Sequence, residues 1–328
     1  MVTNRVLWID WARALGIMIV VYCHVPQDKN FVESFLHSFQ MPLFFMLSGY
    51  LHKSPHYPII ELLKKYWRGL IVPYILFQFL FYPYWLIQGY VQNGLAVNDL
   101  YESLLMPLVQ CLCGIPIDGP TWFLFALLIT KLIADIVFRC RFSQYLAALL
   151  CLISVVGAWI IWEDDKLNIS FAIDSLFDFF PFFFIGYYSK VQGIIKIEDR
   201  NKCIIKAGFC FAISVLLIIC DNGNYAFHRI AFYILGLSGS FFIINICKAI
   251  TNHSDFIQVI SVGSIIILGL HWMFIGTTNF IFESFFSFEG GIRYTVFEAM
   301  VLVLGITLAN YVIIRFCQKH FKALLGYR

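Results

Sequence analysis

The chain has 328 residues, of which 60% are hydrophobic and only 13% charged, with a mean hydropathy of +0.79, whereas a soluble domain carries about 25% charge. That balance excludes a soluble globular enzyme, and a net charge of only +3 scattered along the chain excludes a nucleic-acid binder. It implies an all-α, polytopic integral membrane protein with about ten transmembrane helices of roughly 20 residues each, in one domain over residues 1–328.

The first hydrophobic stretch, Trp8 to Val25, reads WIDWARALGIMIVVYCHV and predicts a helix from about Leu7 to Val25 that stops at Pro26. It carries an arginine and lacks a small-residue cleavage site, so it is expected to remain as the first permanent helix. The second helix, about Phe31 to Leu51, contains Pro42 and Gly49 and is expected to be kinked or broken. Lys53, Lys64, Lys65 and Arg68 follow, interleaved with Tyr57, Ile60 and Leu63, in a stretch that suits an amphipathic helix at the membrane surface. The third span covers about Leu70 to Val91. A longer loop, Gln92 to Pro120, contains a segment of helical apolar spacing, Leu100 to Leu112. The fourth span begins at Thr121, behind Pro120 and with Trp122 as an interfacial anchor. A fifth, about Tyr145 to Trp162, and a sixth, about Phe171 to Ser189, are separated by the acidic turn Glu163, Asp164 and Asp165. Lys190 to Lys206 is expected as a basic loop. The last four spans fall at about Ala207 to Cys220, Ala226 to Cys247, Phe256 to Thr278 and Tyr294 to Phe316.

Threaded in this way, roughly eighteen of the 23 lysines and arginines lie on one side and about four on the other. Because basic loops stay inside, both termini are expected to face the cytoplasm. Asp99, Glu102, Asp118 and Glu163 to Asp165 then lie in loops on the opposite side. The ten cysteines form no framework. Cys23, Cys151, Cys210 and Cys247 sit in apolar spans as small packing residues, while pairing of Cys111 or Cys113, in an outside loop, stays open.

The first helix carries the unusual chemistry. Asp10, Arg13 and His24 all lie within it, although a central charge costs roughly 2.5 to 3.5 kcal/mol on insertion scales. Arg13 and His24 are eleven positions apart, which returns to within about 20° of the same face and separates them by about 16 Å along the axis. With the N-terminus inside, Arg13 lies toward the cytoplasm and His24 toward the outer leaflet. A guanidinium suits the phosphates of a ligand, and an imidazole is the side chain best suited to take a proton from a hydroxyl. The competing reading has Arg13 paired with Asp10 and snorkelling to the inner interface while His24 caps the outer end. Asp28 is placed to orient the His24 ring, though Pro26 disfavours a continuous helical turn there.

Other polar residues have two readings each. His271 within an apolar span is a second polar group of the site or a hydrogen-bonded packing residue. Asp174 and Asp178, four apart on one helix face, face an outer cavity or are solvated at the interface. His52 and His56 have metal-like spacing, but Pro55 between them breaks the helix such a site needs, and no metal is expected. GLSGS, Gly236 to Ser240, lacks the spacing of a nucleophile elbow and reads as small-residue helix packing. The run Phe177 to Phe184 reads as packing or lipid-facing surface.

Arg13, ten residues and then His24, within IDWARALGIMIVVYCH, resembles the signature of the acyltransferase family 3 membrane proteins. QMPLFFMLSGYL from Gln40 to Leu51 resembles that family's second-helix motif, and GPTWFLFALL from Gly119 to Leu128 is similar to a segment of its fucose-acetylase-like members. PFFFIGYYSK from Pro181 to Lys190 and LGLHWMFI around His271 also stand where the family has similar stretches, so the likeness runs from about Ile9 to Ile275. The resemblance implies transfer of an acyl group, usually acetyl, from acetyl-CoA reached from the cytoplasm to a hydroxyl of a cell-envelope or exported glycan or lipid-linked sugar, at the plasma (inner) membrane and among membrane lipids. It implies His24 as the catalytic residue and Arg13 as its partner toward the donor. Arg68 is a further cation for the donor, and Trp122, Asp174, Asp178 and His271 are expected on the acceptor side. Gln40 departs from the family, which often has His or Arg before the Met-Pro pair, and this weakens any role for that position. Direct attack assisted by His24 is the expected chemistry, with a covalent acyl-enzyme left open. A multi-pass transporter or flippase is the alternative, because broken helices and mid-membrane polar groups also mark substrate pathways. A membrane-bound assembly or sensory protein would not explain the Arg13 and His24 stripe.

Overall fold

The structure is a computed structural model that describes residues 6–53, 58–93, 105–112, 115–163, 171–196, 198–221, 225–286 and 291–325. Every regular element among the described residues is helical. Ten helices reach 18 residues or more: α1 (Leu7–His24), α2 (Phe31–Tyr50), α4 (Val72–Asn93), α6 (Trp122–Arg139), α7 (Ser143–Glu163), α8 (Phe171–Val191), α9 (Arg200–Cys220), α10 (Tyr225–Ala249), α12 (Ser264–Phe285) and α13 (Val296–His320). Three are short: α3 (Ile59–Tyr66), α5 (Met106–Leu112) and α11 (Asp255–Val262). Among the described residues, eight helical runs are long and apolar enough to cross a membrane. α2 and α8 are as long but are not among them; Glu33, His37, Ser38 and Gln40 lower the hydropathy of α2 in its first half.

Several elements depart from the sequence reading. Of the two alternatives at Pro42, a break does not occur: α2 runs continuously through it, and the pyrrolidine packs opposite Gly236, where an added β-carbon would lie 3.0 Å from Pro42 Cγ. Membrane helices keep an internal proline where neighbours make room for it. The basic stretch after α2 does form an amphipathic helix over its described part, α3, with Leu62 and Tyr66 buried and Lys64 and Lys65 exposed, but α3 continues through a π-helical turn, Trp67–Ile71, into α4. The Val72 N–H reaches Trp67 O, a wider turn just before Pro73, whose ring nitrogen cannot donate. α9 begins at Arg200, so Lys202 and Lys206 are helical residues and not loop. The expected ninth span is two helices, α11 and α12, parted at Gly263. Of Leu100 to Leu112, α5 covers Met106–Leu112. Arg5, Pro55, His56, Asp99, Glu102, Cys113, Asp164 and Asp165 lie outside the described residues; Cys111 is buried, its Sγ donating to Leu108 O at 2.9 Å.

The chain divides into two compact units. The first gathers Met1–Lys53, Pro181–Ser264 and Phe282–Arg315. In it α10 packs on α9, α2 and α1, and α1 packs on α2 and α11. Phe35 meets Phe39, Phe211 and Phe242 edge-on, with ring centroids 5.1, 5.3 and 5.7 Å away. Phe182, Phe183 and Phe184 are buried, which makes this part of the phenylalanine run packing surface. The GLSGS stretch lies inside α10 with Gly236 against Phe182 and Gly239 against Phe39, and Ser238 shares a 2.7 Å hydrogen bond with Ser214 of α9. It is helix packing, as its composition predicts.

The second unit gathers Ser54–Phe180, Ile265–Ile281 and Phe316–Arg328. α6 packs on α7 and on the π-helical turn before α4. Tyr66 donates to Asp135 in the interior, Ser154 Oγ donates to Phe177 O at 2.8 Å, and Phe77 of α4 lies against Gly269 of α12, where a side chain would collide with its ring.

Candidate functional site

In the first unit the polar face of α1 is met by the break between α11 and α12. Ser254 starts α11 by accepting from the Ile257 N–H at 3.4 Å, and the helix ends at Gly263, where a β-carbon would run into the Ile314 side chain. The break leaves Ser261 and Ser264 on either side of Gly263. Ser261 Oγ donates to Asp10 Oδ1 at 2.7 Å, and Arg13 Nη2 donates to Ser264 Oγ at 3.3 Å. Both charged groups of α1 are thus held from a second element, and Asp10 takes its hydrogen bond from Ser261.

His24 is the last residue of α1 and half-buried. Its Nδ1 lies 2.7 Å from Val20 O. A carbonyl only accepts, so Nδ1 carries the hydrogen and the neutral ring keeps its lone pair on Nε2, the tautomer a proton acceptor needs. Asp28 is exposed and contributes its backbone carbonyl to Asn30 Nδ2 at 2.9 Å; the orienting bond to the ring comes from Val20 and not from that carboxylate. The segment after α1 is tied down by Tyr294 N–H donating to Pro26 O at 2.9 Å and by Arg293 Nη1 donating to Gln27 O at 3.4 Å.

The second unit holds a separate polar node. Gln78 Oε1 accepts from the Ile117 and Asp118 N–H groups at 2.7 and 3.2 Å, and its Nε2 donates to Thr121 Oγ1 at 2.7 Å. Thr121 Oγ1 in turn donates to Asp118 O at 2.6 Å. These bonds shape the turn that starts α6. They also enclose the Asp118 side chain, which is completely buried with no hydrogen-bond partner at either oxygen. Burial pushes its carboxyl well above the usual carboxylate range, so the neutral acid is the favoured form. Asp118 thus stands outside the long helices, as its place in the sequence suggests, but it is buried. Gly119 lies against the Trp272 indole, where a β-carbon would come within 2.8 Å of the ring.

His271, beside Trp272 on α12, is fully buried with Nδ1 2.9 Å from both Ile267 O and Leu268 O. It therefore has the same tautomer as His24. Trp122 is half-buried and stacks on Phe179 with ring centroids 5.7 Å apart. Asp178 is half-buried on α8, while the side chain of Asp174 lies outside the described part. Arg68 is exposed in the π-helical turn. Ser261, Ser264, Gln78 and Thr121 were not singled out by the sequence; the glycine in SVGS was the one local sign of a break there.

A polytopic helical chain with a charged, serine-braced first helix fits a membrane enzyme, and comparison with known families names the class. Residues 6–315 match the model of acyltransferase family 3, an acyltransferase domain, and the chain belongs to that family. It is a multi-pass membrane acyltransferase. No curated protein and no solved structure gives a significant match.

Proposed function

We propose that the protein O-acetylates a sugar hydroxyl of a cell-envelope or exported glycan, with acetyl-CoA as donor. The observation that carries this reading is the pairing on α1 of a braced guanidinium, Arg13 on Ser264 at 3.3 Å, with an imidazole whose Nδ1 is engaged by Val20 O at 2.7 Å. A sugar hydroxyl is a weak nucleophile at neutral pH, and a positioned base contributes about 10² to 10⁴ in rate. His24 Nε2 takes the hydroxyl proton as the oxygen attacks the thioester carbonyl. The carbon–sulfur bond breaks, and the proton passes to the departing CoA thiolate, leaving an acetyl ester and free CoA. Arg13 and Arg68 bind donor phosphates, and Trp122, Asp174, Asp178 and His271 contribute to the acceptor side. The chain works as one domain in the inner membrane with ten spans and both termini in the cytoplasm, the side that the lysine and arginine bias favours.

Purified full-length protein supplied with labelled acetyl-CoA and envelope glycan tests the proposal. Label should appear in the glycan as an alkali-labile ester, with one free thiol released per ester formed. Flux of glycan across vesicles without any thioester consumption would instead support a flippase and overturn the transfer reading.

A further inference from the structure

A groove of about 450 Å³ lies in the first unit, lined by α9, α10 and the residues before α9. Its volume is within the range of small-molecule sites. The walls include Ile194, Ile205, Phe209 and Ile244, and Ile205 and Phe209 are 71% and 68% exposed, so the groove opens on an outward apolar surface. At its polar end stand two lysines, Lys206 and Lys248. Glu198 is engaged by the first: Lys206 Nζ donates to both its oxygens at 2.7 and 2.6 Å, and this contact holds the carboxyl below its ordinary range. Lys248 lies 4.0 Å from the same carboxylate with its side chain only 4% exposed. An ammonium buried at that distance from its counter-charge is poorly compensated. Lys206 and Lys248 therefore share one carboxylate at the end of an apolar channel, and Lys202 also acts on that carboxylate from a distance.

We propose that this groove binds one anionic phospholipid, its acyl chain along Ile205, Phe209 and Ile244 and its phosphate on Lys248 and Lys206. Charge complementarity selects the occupant: a zwitterionic lipid fills the channel equally well but brings its own cation to the lysine pair. The site shares no residue with the Asp10, Arg13 and His24 stripe and does not rest on the acyl-transfer reading.

The test titrates the full-length, delipidated protein in detergent with phosphatidylglycerol and with phosphatidylcholine of the same chains, counting bound lipids by native mass spectrometry. Phosphatidylglycerol should bind more tightly, and Lys248→Gln should weaken it by about fivefold, the effect of one lysine near an anionic headgroup. Lys206→Gln, at a half-exposed position, does the same and serves if Lys248→Gln fails to fold. Cys210→Trp, which fills the channel, should weaken both lipids, whereas Lys319→Gln, at an exposed position of α13 outside the groove, should leave binding unchanged. Glycerol phosphate, which has no chains, should not compete. Equal binding of the two lipids, binding indifferent to both lysine variants and to Cys210→Trp, or full competition by glycerol phosphate would each overturn the proposal.

Discussion

Gly186→Ala should destabilise the first unit more than its single methyl group suggests. α2 and α8 approach backbone to backbone at Gly49 and Gly186. A β-carbon at Gly186 would sit 2.8 Å from both the Cα and the carbonyl carbon of Met46, and one at Gly49 would sit 2.8 Å from the Phe183 carbonyl carbon. Carbon atoms pack best at about 3.5 to 4.0 Å, so the helices must part by roughly 1 Å. Overpacking costs about 1 to 3 kcal/mol, and the upper end applies where the obstruction is backbone that no rotamer change can move. Gly208→Ala is the internal control: it lies within α9 with nothing within 4 Å of the added carbon, so removing a helical glycine should gain about 0.5 to 1 kcal/mol. Thermal unfolding of the purified variants in detergent checks both. Gly186→Ala should melt several degrees lower and Gly208→Ala at or above the parent. A Gly186→Ala midpoint equal to that of the parent would refute the close approach. Gly49→Ala combined with Gly186→Ala should cost less than the sum, since either one already parts the same pair.

Three further outcomes are expected. Gln78→Leu leaves two N–H groups without an acceptor and removes the bond that the Thr121 hydroxyl accepts, and should cost about 2 to 4 kcal/mol, read as a lowered unfolding midpoint, with Thr121→Val milder. Asp118 has a folded-state pKa above its ordinary 3.8, so the folded state binds the extra proton and this residue's contribution to stability falls as pH rises above that value. Asp118→Asn should therefore flatten the loss of stability with rising pH, and unchanged pH dependence would count against the neutral carboxyl. Arg13→Ala should raise the KM for acetyl-CoA at least about tenfold in steady-state assays, and Arg13→Lys should not restore it, because a planar fork binds phosphate in a way an ammonium does not.

Much of the fold follows from composition and hydropathy, because lipid demands long apolar helices and leaves few alternatives. The helix positions agree with the periodicity, and α1 keeps the bounds that its apolar run suggests to within a residue. The departures occur where local signals compete with packing. Pro42 does not interrupt α2, since Gly236 opposite leaves room for the ring. Lys202 and Lys206 read as loop by charge, yet their long side chains can reach the interface from a helix. The break at Gly263 was hidden inside a continuous apolar run, and with it the two serines that hold Asp10 and Arg13. Asp118 shows the converse: its Gly- and Pro-rich, loop-like surroundings in sequence gave no sign that Gln78, some forty residues earlier, would close the turn over it.

The central claim is that His24 takes the acceptor's proton, and His24→Ala in the acetyl-transfer assay tests it most directly. With labelled acetyl-CoA and glycan acceptor, the variant should remain folded and lose about 10² to 10⁴ in kcat, the share a positioned base supplies. Transfer at the parental rate by folded His24→Ala protein would contradict the assignment.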